Sequence, residues 1–274
     1  MWNFNHSKDL KMNRFSCYVD VERFLGEPVK ELAQFLCCLR RGKRFETILL
    51  VARFLEKVNK VGDFYSFKNS PKKSKFLKEL PLSDEDKEIL WKLISRFFLK
   101  HCENSSGVEI PQNDLISLRK GRLFEEIVYR IGLAKRWKVD LVSMHCQPML
   151  NGRKVEIKCG DKTISGKNLD VVFWGKDYIE GYECKSNVAF FIQLGMGHSE
   201  RARKIRDKIR YLNQLAKFLK RHFREAEITL ASFAPDRSYE KFIPVIKKWI
   251  VKCGEDDRIH FKIKTIEEIL KEVE

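Results

Sequence analysis

No run of apolar residues in this 274-residue chain approaches the ~20 needed to span a membrane. The start, with its Asn and Lys residues, is not built like a secretory signal, which sets a basic segment before an apolar one. The expected address is therefore the cytoplasm, with no membrane partner. Eight cysteines are present but no C-x-x-C pair, so the usual zinc and redox frameworks have no scaffold here. Cys37-Cys38, Cys159, Cys184 and Cys253 fall in apolar helical or strand patterns and read as small buried hydrophobes. The pairs His101-Cys102 and His145-Cys146 supply no cysteine-nucleophile dyad, because neighbours on a strand point to opposite faces. Internal repeats and low-complexity tracts are also missing.

What the chain has in quantity is positive charge. It carries 54 Lys plus Arg against 38 Asp plus Glu, a net charge of +16 with a pI near 9.5. The first 100 residues hold 21 of the cations and 13 of the acids, so half of the excess sits on little more than a third of the chain. Such a balance attracts polyanions through phosphate contacts and counterion release. With 43% hydrophobic and 12% aromatic residues, the chain can also bury a substantial core.

Periodicity divides the chain. Val29, Leu32, Leu36 and Leu39 recur at helical spacing and lead to Arg40-Arg41-Gly42, a basic helix end with a glycine stop. Phe45, Ile48, Leu49, Ala52, Leu55 and Val58 mark a second helix. A charged, Pro-containing stretch from Lys68 to Pro81 follows, and Ser83-Asp84-Glu85-Asp86 forms a capping box for a helix bearing Ile89, Leu90, Leu93, Ile94 and Phe97. The boundary falls between Cys102 and Asn113, giving an all-helical basic domain over 1–105 and a second domain over 106–274. The second domain reads as helix (114–134), strands (139–150, 153–159, 168–174, 178–185), a long helix, strand (227–233), helix (239–252), strand (260–264) and helix (266–273). This order suits an α/β fold, a mixed sheet covered by helices. On the long helix, Ala202, Ile205, Ile209, Leu212, Ala216 and Leu219 form a core stripe, leaving Arg201, Arg203, Lys204, Arg206, Lys208 and Arg210 to grip phosphates or to face water.

The most informative segment runs from Asn168 to Lys185. Leu169-Asp170-Val171-Val172-Phe173-Trp174 and Tyr178-Ile179-Glu180-Gly181-Tyr182-Glu183-Cys184-Lys185 read as two strands joined at Gly175-Lys176-Asp177. Folding about that centre places Asp170 opposite Tyr182 or Glu183, so the two carboxylates are near neighbours in either register. Opposed side chains lie about 4.5 to 5.5 Å apart at Cβ, close enough for two acids to share a hard cation. Alternation puts Glu183 and Lys185 on one face and Cys184 on the other. In a strand covered on both faces, paired acids need a cation to offset their repulsion.

Asp170 followed by Glu183-Cys184-Lys185 on the next strand resembles the PD-(D/E)XK nuclease superfamily, which includes restriction endonucleases and Holliday-junction resolvases. The wording Leu-Asp-Val-Val and Glu-Cys-Lys is especially similar to the nuclease domains of CRISPR ancillary nucleases. The resemblance covers roughly residues 115–215 and implies a restriction-endonuclease-like sheet and metal-dependent hydrolysis of phosphodiester bonds, DNA being favoured over RNA. It implies Mg2+ or Mn2+ held by Asp170, Glu183 and the Cys184 carbonyl, with Lys185 stabilising the transition state. The family usually adds a glutamate from a preceding helix, and Gly121-Arg122-Leu123-Phe124-Glu125-Glu126-Ile127-Val128 offers two. Helix angles place Glu125 about 110° and Glu126 about 150° from the apolar stripe, so Glu125 is favoured for the site, while Glu126 faces water or pairs with Arg122 or Arg130. Arg201, Lys204 and Lys208 would bind nucleic acid. Cutting two strands calls for two active sites, which a homodimer would supply. Relatives of the CRISPR type carry an N-terminal nucleotide-sensing α/β domain, whereas these first hundred residues read as helices. The alternative reading is a catalytically inactive nucleic-acid-binding or interaction module on the same fold.

A second Glu-x-Lys, Glu156-Ile157-Lys158, is a decoy. Folding about Asn151-Gly152 sets Glu156 opposite Gln147, no acid, and the alternation with Val155 and Cys159 describes a strand with one wet face.

Overall fold

Helix signals in the first part of the chain are satisfied by side chains at the helix ends. The computed structural model describes residues 15–19, 27–101, 111–132, 139–159, 162–164, 167–253 and 257–273. Strand β1 (Phe15–Val19) comes first, followed by helices α1 (Glu27–Cys38), α2 (Arg41–Lys57), α3 (Val61–Lys68), α4 (Pro71–Glu79) and α5 (Asp84–Leu99). Ser83 caps α5 as expected, its hydroxyl oxygen accepting from the Asp86 amide at 3.1 Å and its hydroxyl donating to the Asp86 carboxylate at 2.8 Å. Within the Pro-containing stretch, Ser70 caps α4 and Pro71 occupies its first turn, where a missing N–H costs nothing. Two expectations are corrected. Gly42 stops nothing, since α2 begins at Arg41 and runs through it. The first hundred residues are not all helical, since they contribute β1 to the sheet.

Beyond the helical layer come α6 (Gln112–Ile131), β2 (Leu141–Leu150), β3 (Arg153–Lys154), β4 (Ile157–Cys159), β5 (Lys162–Ile164), β6 (Leu169–Trp174) and β7 (Tyr178–Lys185). They are followed by α7 (Val188–Gly195), α8 (Glu200–Leu219), β8 (Glu225–Ser232), a short 3-10 turn (Glu240–Phe242), α9 (Ile243–Val251), β9 (Lys262–Thr265) and α10 (Ile266–Val273). The chain is thus α/β. Its main sheet is mixed, in the order β1-β2-β6-β7-β8-β9, with β3 paired to β2. The pairs from β1 to β7 are antiparallel, and β7-β8 and β8-β9 are parallel. Asn151 and Gly152 both take positive φ, 52° and 75°, the conformation a two-residue hairpin turn requires. The strand expected over 153–159 breaks in two, and β4 pairs with β5 in a separate small sheet.

Two apolar layers cover the sheet. On one face, Val171, Phe173, Tyr182 and Cys184 pack with Phe124, Ile127 and Val128 of α6 and with the core of α1, α2, α5 and α10. On the other, Val172, Ile179, Ile228 and Leu230 pack beneath Ile205, Ile209, Leu212 and Ala216 of α8. The first layer is one continuous core shared by the N-terminal helices and the sheet. The expected domain boundary itself falls largely on residues 102–110, outside the described residues.

Cysteines depart from expectation. Cys17 bonds to Cys146 and Cys159 to Cys253, across 129 and 94 residues of sequence, so neither pairing was visible in local spacing. Cys184 is buried and free as expected, whereas Cys38 is exposed. Disulfides persist mainly in oxidising compartments, so a cytoplasmic address does not follow from the cysteine pattern. Among the described residues, no helix is long and apolar enough to cross a membrane.

Helix α6 is fastened to its neighbours by two consecutive cations. Arg119, fully buried, donates to the carbonyls of Phe97 at 2.6 Å and Lys100 at 2.7 Å, satisfying the C-terminal end of α5. Lys120 donates to the Leu55 carbonyl near the end of α2 and to Asn59 Oδ1 at 2.8 Å. Burial lowers the Lys120 ammonium to about 8. Replacing Arg119 with Met would strand the buried Phe97 carbonyl and the part-buried Lys100 carbonyl, and Arg119→Met is expected to cost about 3 kcal/mol of unfolding free energy in urea melts. A cost within about 0.5 kcal/mol would show that the fastening carries no weight.

Candidate metal centre

The β6-β7 hairpin pairs Val171 with Tyr182 and Val172 with Gly181, the register that continues to place Asp170 opposite Glu183. At Gly181 inside β7 the missing side chain leaves room for two neighbours, since a Cβ there would stand 2.6 Å from Leu169 Cδ1 and 3.0 Å from Ile228 Cδ1. Both acids and Lys185 lie on the sheet face that α8 covers. Glu183 is 4% exposed. The ammonium of Lys185 meets three oxygens at once: Glu183 Oε1 at 2.6 Å, the Cys184 carbonyl at 2.9 Å and Asp170 Oδ2 at 3.5 Å. The Cys184 amide donates to Asp170 Oδ2 at 2.7 Å, fixing that carboxylate from the neighbouring strand. The cradle is made only of oxygens and closes on one positive charge, the donor chemistry a hard divalent cation uses.

Lys208 enters from α8. Its ammonium lies 2.6 Å from Glu183 Oε2, and it also donates to the Asn168 carbonyl. This corrects the reading of Lys208 as a phosphate contact on the outer face of the helix: its ammonium reaches across to Glu183 and the Asn168 carbonyl at the ends of β7 and β6 instead. Arg201 and Lys204 do remain exposed, Lys204 pairing with Glu200 at 3.0 Å. Arg206 closes the loop before α8, donating to the Gly195 and Gly197 carbonyls at 2.6 and 2.8 Å.

Glu125 reaches the same region from α6, whose Phe124 stacks on Phe233 after β8 at a centroid distance of 5.1 Å. It is turned toward Arg122 at 3.1 Å and His145 Nε2 at 3.7 Å rather than joining Asp170 and Glu183 in one ligand set. Among the described residues, no group of three His, Cys, Asp or Glu side chains is placed to hold a metal ion by itself. Glu126 is buried, not solvated, and its two oxygens pair with Arg122 and Arg130, each at 3.3 Å. Both helix partners expected for it are therefore used, and the burial follows from Arg122 bridging the two glutamates. The decoy behaves as expected, with Glu156 and Lys158 exposed and Val155 and Ile157 buried.

His145 is the residue that sequence reasoning missed. It has φ of 52°, a left-handed conformation disfavoured for a residue with a Cβ, at the gap between the pairs Met144-Val171 and Cys146-Leu169. The distortion lets Met144 pack on the α6 face and Cys146 on the α8 face, although they are two residues apart on one strand. It aims the imidazole at Arg122 and Glu125. No local sequence signal marks such a kink; only the need to bridge two layers at Asp170 explains it.

Electrostatics separates the three acids. Burial, then the charge of Asp170, pushes Glu125 up to about 8. Burial and the charge of Glu183 also raise Asp170. Glu183 goes the other way: burial opposes ionisation, but Lys185 and Lys208 outweigh it and hold the carboxyl below its ordinary value. For Lys185 burial opposes the charge, and Asp170 and Glu183 more than compensate, so its ammonium stays protonated. Glu183 is thus the firm anion and Glu125 the soft one.

No protein-family model matches the chain, and no curated protein matches it. Among solved structures, the crystal structure of protein VC1899 from Vibrio cholerae aligns at 15% identity with a TM-score of 0.40, over 96% of this chain and 57% of that one. This chain thus spans little more than half of that protein's length, and a likeness at this level carries no argument.

The raised Glu125 has a measurable consequence. Because its folded-state pKa of about 8 exceeds the unfolded value near 4.5, the folded chain binds the proton more tightly, and stability falls as pH rises between them. Glu125→Gln cannot ionise. In urea melts without divalent cations it is expected to gain on the wild type by on the order of 3 kcal/mol between about pH 5 and pH 8. Parallel stability curves would contradict the assignment.

Proposed function

We propose that this chain is a metal-dependent nuclease of the PD-(D/E)XK type, hydrolysing phosphodiester bonds of nucleic acid, with DNA the favoured substrate and the mixed sheet a restriction-endonuclease-like core. The observation that carries the reading is the convergence of Asp170, Glu183, the Cys184 carbonyl and Lys185 at one point on adjacent strands. The +16 charge and the exposed Arg201 and Lys204 on α8, the helix that also carries Lys208, supply the means to hold a polyanion.

Asp170 Oδ2, Glu183 Oε1 and the Cys184 carbonyl would hold Mg2+ or Mn2+. Such an ion, when bound, acidifies a water and neutralises charge on a phosphate. The residues do the rest. The Cys184 amide and Lys208 lock the two carboxylates in orientation. Lys185, protonated and buried, offers its charge to the phosphorane-like transition state, where preorganised cations are worth most. Glu125, swinging from Arg122, completes the set directly or through water. A homodimer would bring two such sites to a duplex.

One observation favours the inactive-module reading instead. Each oxygen of Glu183 already lies 2.6 Å from a lysine ammonium, so its charge is offset without metal.

Cleavage of labelled single-stranded, duplex and branched DNA and RNA with Mg2+ or Mn2+ decides between them. Asp170→Ala and Lys185→Ala, once shown to be folded, are expected to lose on the order of a thousandfold in rate, while Glu156→Ala retains full activity. Absence of cutting by the wild type on every substrate, or cutting untouched by both substitutions, would favour the binding module.

A further inference from the structure

Every oxygen that would bind a cation at this site already faces an ammonium. Lys185 Nζ lies within 2.6 to 3.5 Å of Glu183 Oε1, the Cys184 carbonyl and Asp170 Oδ2, while Lys208 takes Glu183 Oε2. An ammonium and a divalent cation cannot share this position, since both need the same lone pairs and their charges repel. The two lysines are also not equivalent. Lys208 is anchored a second time, on the Asn168 carbonyl, and lies outside the point where the three oxygens meet. Lys185 stands at that point, and it has somewhere to go: its ammonium lies 5.4 Å from the Phe191 ring, on the side where α7 begins. There the side chain can keep a favourable contact after leaving the carboxylates.

We propose that Lys185 is the resident cation of the metal-free site and that a divalent ion enters by exchanging with it, while Lys208 stays on Glu183 throughout. This rests on the nuclease reading and deepens it with a mode of control. In the metal-free chain, the lysine that would meet the substrate phosphate is sequestered against Glu183 and Asp170. Cation entry frees it in the same event that loads the site, so phosphate capture and metal loading are coupled. By linkage, removing the Lys185 ammonium while keeping the oxygens strengthens cation binding by the factor its competition costs. Lys208, held outside the exchange on Oε2, leaves Oε1 as the Glu183 oxygen that joins Asp170 Oδ2 and the Cys184 carbonyl on the incoming ion.

Two measurements without nucleic acid test this. Free Mn2+, followed by its electron paramagnetic resonance signal, is titrated with the wild type, Lys185→Met and, as a charge-loss control, Lys176→Met in the exposed β6-β7 turn. Lys185→Met is expected to bind Mn2+ roughly tenfold more tightly than the wild type and Lys176→Met equally to it. Since Lys185→Met takes one cation from both acids and could fail to fold, the second measurement uses the wild type alone. Lysine acetylation mapped by mass spectrometry is expected to rise several-fold at Lys185 on adding Mg2+ and to stay constant at Lys208. Mn2+ bound with equal affinity by the wild type and Lys185→Met, or a rise at Lys208 instead of Lys185, overturns the exchange and leaves the metal site standing. Failure of both proteins to bind Mn2+ removes the metal site, and with it the exchange.

Discussion

Two carboxylates on adjacent buried strands repel each other, and the protein around them is arranged to offset that repulsion. Asp170 and Glu183 are neighbours beside α8, Glu183 almost wholly and Asp170 largely removed from water, so each needs a cation or a donor. Lys185 comes from the same strand as Glu183, Lys208 from the covering helix and the Cys184 amide from the backbone. Each acid thus has two partners, Lys185 and Lys208 for Glu183 and Lys185 and the Cys184 amide for Asp170. The architecture follows from that need: a hairpin to bring the acids together, a parallel crossover to lay α8 over them, and an opposite helix, α6, to bring a third acid near.

The helical layer is part of the same construction. Arg119 and Lys120 fasten α6 to the ends of α5 and α2, and Asn187, which caps α7 just after Lys185, donates to Glu56 of α2 at 3.2 Å. The position of Glu125 therefore depends on helices that touch no part of the acid pair. Arg122 then joins Glu125, Glu126 and His145, so the third acid is held back from the other two by a cation of its own.

What could be read in the sequence was whatever local periodicity encodes. The limits of β7 and α10, the Asn151-Gly152 turn, the Ser83 cap, the apolar stripe of α8 and the nearness of Asp170 to Glu183, though not the register between them, all follow from alternation, helical spacing or turn chemistry. Long-range facts were not legible. Strand β1 pairs with β2 across more than a hundred residues, the disulfides join segments equally remote, and Lys208 shares its face of α8 with the core only because the sheet lies beneath it. His145 is a further kind of miss: its left-handed backbone is imposed by two layers meeting at Asp170, and histidine carries no mark of that in sequence.

A crystal of the wild type soaked in Mn2+ and measured at the manganese absorption edge tests the central claim most directly. An anomalous peak between Asp170 and Glu183, in contact with the Cys184 carbonyl, is the result this account predicts. A well-diffracting soaked crystal with Lys185 still seated on both carboxylates, and no peak there, would contradict it.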